Sequence, residues 1–350
     1  AGIATIDQGK ITLRRSQGKL GNLDALLAKE PLHGHIGIGH TRWATHGVPS
    51  EANAHPHATQ DVAVVHNGII ENFGEIRDEL KAKGYVFKSQ TDTEVIPTLI
   101  TDWMAQGKSP QEAVAETLKR LHGAFAIGAV FTGHDELLIA ARRGSPLAIG
   151  IGEDEHCIGS DAVALAPLTR QICYLAEGDM AVLSPSQYRI FDESGQEVQR
   201  DVKLTQLSGA AIGKGDFRHF MLKEIHEQPT VIGETLNVYA GDGKIHLPEL
   251  PLAADKIARI QIVACGTSFY AGLVARYWLE QQARIPVDID VASEFRYREP
   301  VMDPNTLMIA ISQSGETADT LAAMQYAKAQ GVATLAIVNV AESSMALQAD

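Results

Sequence analysis

The second half of this 350-residue chain contains four continuous apolar runs, separated by longer stretches with helical character. The runs are RIQIVACG, PVDIDVAS, TLMIAIS and ATLAIVNV, all within residues 259–340. Unbroken apolar runs are typical of strands that are buried on both faces, as in a parallel sheet covered by helices. The alternation of such strands with helices predicts a doubly wound parallel sheet, whose ligands bind at the carboxyl ends of its strands.

The first half has a different pattern. Two amphipathic helices are predicted at 71–84 and 109–123, the second with Ser109 as N-cap and Pro110 at its first position. Five short strand-like runs then follow: AFAIGAVF, ELLIAAR, PLAIGIG, CYLAEGDMAVLS and YRIF. Helices followed by many strands favour sheets that pack on each other and are covered by helices.

The two patterns meet in a segment without periodicity at residues 201–217, where GAAIGKGD is rich in glycine. The segment HFMLKEIHEQP, from His219 to Pro229, predicts a helix that the proline stops. We therefore expect a first domain at residues 1–205, a linker with a leading helix at 206–245, and a second domain at 246–350.

The bulk composition excludes several classes of protein. The formal net charge of −13 argues against binding to nucleic acid, which requires clustered Lys and Arg. Three cysteines are too few for a disulfide framework and favour a reducing, cytoplasmic setting. No apolar run approaches the roughly 18 residues that a membrane-spanning helix requires. An acidic chain of this kind can still bind a phosphorylated metabolite at a local, preorganised anion site.

Two predicted strands of the second half end in turns that carry hydroxyl groups. ACGTS follows the first strand, ISQSGET follows the third, and each turn leads into a helix. Helix N-termini favour anions, and the hydroxyls add further donors. N-capping is the simpler explanation of Ser312, Ser314 and Thr317, but one cap does not need three hydroxyls and Gln313.

This combination resembles the SIS (sugar isomerase) domain, whose SQSGET loop holds a sugar phosphate. The resemblance implies that six residues bind the phosphate: Thr267, Ser268, Ser312, Gln313, Ser314 and Thr317. The family also carries a segment like SEFRYRE (293–299), whose role is open.

Three segments of the first half, HTRWATHG (40–47), HNGIIEN (66–72) and TDTEV (91–95), occur in the order and rough spacing of class II glutamine amidotransferases. The chain is similar to that family, which has the N-terminal nucleophile fold with α/β/β/α layers. The resemblance implies a glutamine pocket lined by Arg42, Trp43, Thr45, His46, Gly68 and Asp92, and an oxyanion hole formed by Asn67 and Gly68.

These residue types suit the chemistry. An arginine fork binds the α-carboxylate of glutamine, an aspartate binds its ammonium group, and amide donors stabilise a tetrahedral oxyanion. From the residues alone, simpler explanations stay open. Asn67-Gly68 is also a frequent turn dipeptide, and Thr91 with Glu94 makes a capping box in which Asp92 only begins a helix.

The histidines raise a metal alternative, because seven of the 13 lie between His33 and His66. His33/His35 and His55/His57 are pairs that would share one face of a strand. No cysteine or carboxylate partner has zinc spacing, however, so we expect no metal.

Together, the two resemblances imply an enzyme of the family that joins a glutaminase domain to SIS domains. Such an enzyme uses glutamine and fructose 6-phosphate, makes glucosamine 6-phosphate, needs no cofactor and is usually a homodimer. The family's nucleophile is an N-terminal cysteine, whereas the first cysteine here is Cys157. We therefore expect an inactive internal fragment, without that cysteine, with a truncated first SIS domain and without the family's second SIS repeat. The alternative is a catalytically dead regulator that binds a sugar phosphate.

Overall fold

The computed structural model describes residues 1–42, 48, 50–205, 214, 217–240, 243–247 and 250–350. By contacts the chain divides into two compact units, residues 1–207 and 208–350. Three residues that the sequence places in the glutamine pocket, Trp43, Thr45 and His46, lie outside the described residues.

The first unit contains short strands and five helices within its described part. In chain order they are β1 (Gly2–Asp7), β2 (Lys10–Arg15), α1 (Leu20–Lys29), β3 (Ile36–His40), β4 (His57–Ala58), β5 (Val62–Gly68), α2 (Phe73–Ala82), α3 (Val95–Ala105), α4 (Pro110–Arg120), β6 (Phe125–Phe131), β7 (Leu138–Arg143), β8 (Ala148–Ile151), β9 (His156–Gly159), α5 (Ala162–Leu165), β10 (Gln171–Tyr174), β11 (Met180–Leu183), β12 (Tyr188–Phe191), β13 (Glu197–Val198) and β14 (Val202–Leu204).

An antiparallel sheet of seven strands, in the order β13-β12-β11-β7-β6-β5-β4, forms the centre of this unit. Helices α2, α3 and α4 cover one face through a core that includes Ile96, Leu99 and Phe125. The other face packs on the smaller sheets β2-β1-β3 and β14-β10-β8-β9. Helix α5 covers β8 and β10 from outside, through Leu165. The predicted α/β/β/α layering is confirmed.

The structure differs from the sequence prediction in two places in this unit. The run CYLAEGDMAVLS contains two strands, β10 and β11, which belong to different sheets. A turn separates them, held by the fully buried Asp179, whose carboxylate accepts from the backbone N–H of Ala176 at 2.7 Å. The sequence offered only a candidate start of helix α3 near Asp92; the length of the helix was not predicted, because residues 95–102 are all buried and leave no exposed polar face.

The second unit contains a parallel sheet. Its elements are α6 (Phe220–Ala240), β15 (Arg259–Ala264), α7 (Gly266–Gln282), β16 (Val287–Val291), α8 (Ala292–Arg298), β17 (Thr306–Ser312), α9 (Ala318–Ala329), β18 (Ala333–Val338) and α10 (Ser344–Gln348). The strand order is β16-β15-β17-β18. Helix α7 packs on one face through Ala275 and Leu279, and α8 and α9 pack on the other through Phe295 and Met324. The predicted doubly wound sheet is confirmed.

Helix α6 does not stop at Pro229, contrary to the sequence prediction, but continues to Ala240. A proline within a helix removes one backbone donor and costs about 3 kcal/mol, which does not always end the helix. No side chain of α6 is buried. Among the described helices, none is both long and apolar enough to cross a membrane.

Candidate active sites

The first site is built around Arg42, which follows strand β3. Its backbone has a left-handed conformation, with φ +53°, and its N–H donates to Nδ1 of His40 at 2.9 Å. Burial lowers the pKa of Arg42, whereas the charge of Asp92 acts in the opposite direction. The two side chains bring one charge of each sign to this part of the fold, as binding of a zwitterionic amino acid requires.

Asp92 is buried, and its Oδ2 accepts a hydrogen bond from the backbone N–H of Ile70 at 2.8 Å. The alternative capping box is not formed. Glu94 is itself the N-cap residue of α3 and makes no side-chain cap hydrogen bond. Its carboxylate accepts from the N–H groups of Lys88 and Ser89 instead. Asp92 thus lies before the helix, with its carboxylate directed to the turn after β5.

Asn67 and Gly68 are the last residues of β5 and pair with β6, so they do not form a hairpin turn. Gly68 has a φ of +136°, and a Cβ there would lie 2.1 Å from the carbonyl oxygen of Ala124. Only glycine fits this position. The side chain of Asn67 is exposed. The pair therefore presents an amide group and a closely approachable backbone at the end of a strand.

The cysteines of the first unit are poor nucleophiles. Cys173 is fully buried, and burial raises its pKa to about 11. Burial also raises the pKa of Cys157, on strand β9 of the same sheet. A thiol attacks as the thiolate, so neither side chain is activated.

Four histidines form a cluster next to Arg42, with the buried His55 at its centre. The ring of His55 makes edge contacts with the rings of His40, His57 and His66, at centroid distances of 4.5, 5.1 and 6.4 Å. Burial lowers the pKa of both His40 and His57 to about 4, and lowers that of His55 as well. Within the described part of the chain, no group of three or more His, Cys, Asp or Glu could hold a metal ion. Hydrogen bonds connect His40, His55 and His66 through Thr93, and burial disfavours the charged forms of His40, His55 and His57.

The second site lies at the carboxyl ends of two adjacent parallel strands. Ala264 of β15 pairs with Ile311 of β17, so the turns after these strands are side by side. Thr267 and Ser268 are in the first turn of α7, and Thr267 is exposed. Gln313 is exposed in the second turn. Hydroxyl and amide donors thus surround two helix N-termini at one edge of the sheet, where an anion is favoured.

The hydroxyls of the second turn form hydrogen bonds within the loop rather than capping the helix that follows it. Ser312 Oγ lies 3.0 Å from Thr317 Oγ1 and accepts from the N–H of Gly315 at 3.0 Å. Ser314 Oγ accepts from the N–H of Glu316 at 3.1 Å. Thr317 is the N-cap residue of α9, yet its side chain makes no cap hydrogen bond. Simple capping therefore does not account for these residues.

Neighbouring segments support this loop. A Cβ on Gly315 would lie 2.0 Å from Ser343 Oγ, so the loop needs glycine there. Glu316 Oε1 accepts from the N–H of Ser344 at 2.7 Å. The open segment 293–299 contains Phe295, which is fully buried, and Arg296, which pairs with Asp319 at 3.3 Å. That segment forms α8 and packs against the helix that follows the loop.

Comparison with known proteins identifies both halves. The glutamine amidotransferase domain family matches residues 40–167, and the SIS domain family matches residues 254–350. The chain is 54% identical to the isomerising glutamine–fructose-6-phosphate aminotransferases of Zymomonas mobilis and Bradyrhizobium diazoefficiens, over 100% of this chain and 58% of each relative. This chain is a homologue of those aminotransferases. The resemblance found in the sequence is thus confirmed.

The chain spans 58% of the length of these curated aminotransferases. This chain is 43% identical to a solved C-terminal domain of glucosamine-fructose-6-phosphate aminotransferase from Francisella tularensis. The match covers 39% of this chain and 39% of the solved chain, with a TM-score of 0.37.

Some residues at the sites of this aminotransferase homologue were not singled out from the sequence. Thr93 contacts two histidines, at 2.9 Å each, and Glu316 joins the phosphate-type loop to α10. No spacing marks them, because their partners lie between 27 and 38 residues away in the chain. The density of histidines before His66 was the available signal, but it raised only a metal alternative, which the sequence did not support, and not a hydrogen-bonded network.

Proposed function

We propose that the complete gene product hydrolyses glutamine in its first domain and transfers the ammonia to fructose 6-phosphate, with isomerisation to glucosamine 6-phosphate. One observation carries the proposal. A single chain combines two side chains of opposite charge, Arg42 and the buried Asp92, with a turn at 312–317 that carries hydroxyls at the edge of a parallel sheet. The aminotransferases that this chain resembles are named for these two substrates.

In the first domain, the Arg42 guanidinium binds the α-carboxylate of glutamine, and Asp92 binds its ammonium group. The Asn67 amide and the Gly68 N–H donate to the oxyanion that forms when the side-chain amide is attacked. Trp43, Thr45 and His46 complete the pocket by the family resemblance. Trp43 also controls the passage of ammonia.

In the second domain, a phosphate dianion binds between the two turns. The donors are the six residues named from the sequence: Thr267, Ser268, Ser312, Gln313, Ser314 and Thr317. Support comes from the adjacency of β15 and β17 and from the absence of a side-chain cap at Thr317. Charge-assisted hydrogen bonds to a dianion are about twice as strong as neutral ones.

We further propose the domain boundaries expected from the sequence: glutaminase at 1–205, linker with leading helix at 206–245, and first SIS domain at 246–350. By the same resemblance, the protein acts in the cytoplasm as a homodimer.

The test is to purify the complete gene product and measure glucosamine 6-phosphate formed from glutamine and fructose 6-phosphate. Product that requires both substrates, and none with unphosphorylated fructose, is the expected result. Calorimetry with fructose 6-phosphate is run in parallel. Binding of the sugar phosphate without release of glutamate would overturn the enzyme assignment and identify a sugar-phosphate-binding regulator.

A further inference from the structure

In the hydrogen bonds that connect His40, His55, Thr93 and His66, the donor and the acceptor of each bond can be assigned. A backbone N–H can only donate, so Nδ1 of His40, which accepts from Arg42 N–H, carries no proton. Nδ1 of His55 lies 3.1 Å from the same atom. A hydrogen bond between these two nitrogens therefore requires the proton to be on His55, and the N–H groups of His55 and Arg42 then share the one lone pair of His40 Nδ1.

The direction continues through Thr93. A neutral His55 with its proton on Nδ1 has a lone pair on Nε2, and the Thr93 hydroxyl lies 2.9 Å from that atom. Thr93 must donate here, which leaves its oxygen to accept from Nδ1 of His66, also at 2.9 Å. Each hydrogen bond in the chain therefore has one direction: His66 donates to Thr93, Thr93 to His55, and His55 to His40.

This chain of hydrogen bonds joins the two ends of the candidate glutamine pocket. Thr93 follows Asp92 in sequence, and His40 accepts from the backbone of Arg42. The left-handed backbone of Arg42 is uncommon for a residue with a side chain and needs support from its surroundings. His55, His66 and Thr93 are all buried, so a broken link leaves a polar atom without a partner.

We propose that Thr93 and His55 are positioning residues. Through a chain of hydrogen bonds that all run in one direction, they hold Arg42 and Asp92 at the separation that glutamine requires. The expected effect on glutamine use rests on the proposed glutaminase function, whereas the geometry of the hydrogen bonds does not. It assigns the proton to Nδ1 in His55 and His66, and to Nε2 in His40. Neither Thr93 nor His55 needs to contact the substrate.

The geometry is tested by neutron diffraction from deuterated crystals of the complete gene product. Deuterium on Nδ1 of His55 and His66, and on Nε2 of His40, is the expected result. Deuterium on Nε2 of His55, alone or together with Nδ1, would overturn the chain of donors. This measurement needs no variant and no activity, so it stands even if the protein does not hydrolyse glutamine.

The consequence is tested by kinetics with Thr93→Val, which removes the hydroxyl but keeps the shape. We expect KM for glutamine to rise about tenfold or more. Thr93→Ser, which restores the hydroxyl, should return KM to within about threefold of the original, because the hydrogen bonds can form again. The matched control is Thr117→Val, since Thr117 is also fully buried but donates to Ala113 O in helix α4.

An unchanged KM in Thr93→Val would show that the chain does not position the pocket. Equal losses in Thr93→Val and Thr93→Ser would also contradict the proposal, because they would indicate packing rather than hydrogen bonding. The affinity for fructose 6-phosphate should be the same in all three variants. If the unmodified protein releases no glutamate at all, the proposed function fails and only the neutron result bears on the network.

Discussion

The backbone N–H of Ile70 donates to Oδ2 of Asp92 at 2.8 Å. Ile70 comes two residues after Gly68, so the carboxylate proposed to hold the ammonium group of glutamine is fixed to the turn that follows the proposed oxyanion donors. In the proposed site, binding of the ammonium group and stabilisation of the oxyanion at the other end of glutamine would therefore both depend on residues 67–70.

Asp92→Asn should separate these two roles. The amide oxygen can still accept from Ile70, but the negative charge is lost, so KM for glutamine should rise about tenfold or more while kcat stays within about threefold. Asp92→Ala also leaves Ile70 N–H without a partner and should lower kcat as well. Release of glutamate measures both constants. Asp179→Asn is the control, because Asp179 is fully buried but pairs with Arg200. A KM like that of the unmodified protein in Asp92→Asn would remove Asp92 from the site.

Arg42→Lys and Arg42→Ala should both weaken the use of glutamine. Lysine keeps the charge but not the bidentate fork, so its KM should lie between those of the original protein and the alanine variant. For Arg42→Ala we expect a rise of about tenfold or more, since hydrogen bonds to charged groups contribute about 1.5–3 kcal/mol. Calorimetric binding of fructose 6-phosphate is the internal control. Equal loss of both ligands would place Arg42 outside a glutamine site.

Thr267→Val tests the phosphate site with little effect on folding, because Thr267 is exposed in the first turn of α7. Ser314→Ala tests the loop itself. Each change should weaken binding of fructose 6-phosphate about tenfold, since a charge-assisted hydrogen bond is lost.

Ser109→Ala is the matched control for these serine and threonine changes, because Ser109 forms a capping box with Glu112 on helix α4. It should lower the free energy of unfolding by about 1 kcal/mol and leave sugar-phosphate affinity unchanged. If Ser314→Ala behaves like Ser109→Ala, the hydroxyls of the loop have only a structural role.

The stability of the first unit should fall as the pH falls below about 6.5. Burial lowers the pKa of His40 and His57 in the folded protein to about 4, so the unfolded chain binds protons first. The contribution of each histidine is complete above pH 6.5 and is lost between about pH 6.5 and pH 4, at up to about 1.4 kcal/mol per pH unit.

Hydrogen exchange of β5 and β6 amides at pH 7.5, 6 and 5, corrected for intrinsic rates, measures this loss. The pKa of Glu79 is lowered to about 2 by its hydrogen bond to Arg120, so its contribution is lost only below about pH 4.5. His57→Gln removes one of the titrating groups, so the free energy of unfolding should fall less steeply with decreasing pH, by about the contribution of one histidine. Protection that does not change between pH 7.5 and pH 5 would contradict the neutral network.

Trp43→Ala tests the proposed passage of ammonia. In the complete protein, glutamate release should continue while less glucosamine 6-phosphate forms, so the ratio of the two products should rise above one. Trp103→Ala is a useful comparison, because Trp103 lies on helix α3 and packs against the core of the first unit. A ratio that stays at one in Trp43→Ala would leave Trp43 with a packing role.

Much of the fold could be predicted because local patterns and tertiary structure agree. The apolar runs of the second half become parallel strands, since only double-sided burial suits such sequences. Ser109 and Glu112 form a capping box within four residues, without help from the rest of the chain. The extent of helix α3 and the division of CYLAEGDMAVLS between two sheets could not be predicted, because burial on all sides and a change of sheet leave no periodic pattern.

The sequence by itself determined which segments are candidates for the two proposed sites and the chemistry of their residue types, as Arg42, Asp92 and the SQSGET loop illustrate. Only the tertiary structure decided which partners these residues have. His40, His55, His66 and Thr93 are spread over 54 positions, from 40 to 93, and the sequence indicated at most a metal site among them. The fold buries them together, and in a buried cluster each nitrogen and hydroxyl must either donate or accept. That requirement depends on distances in three dimensions, which no spacing along the chain contains.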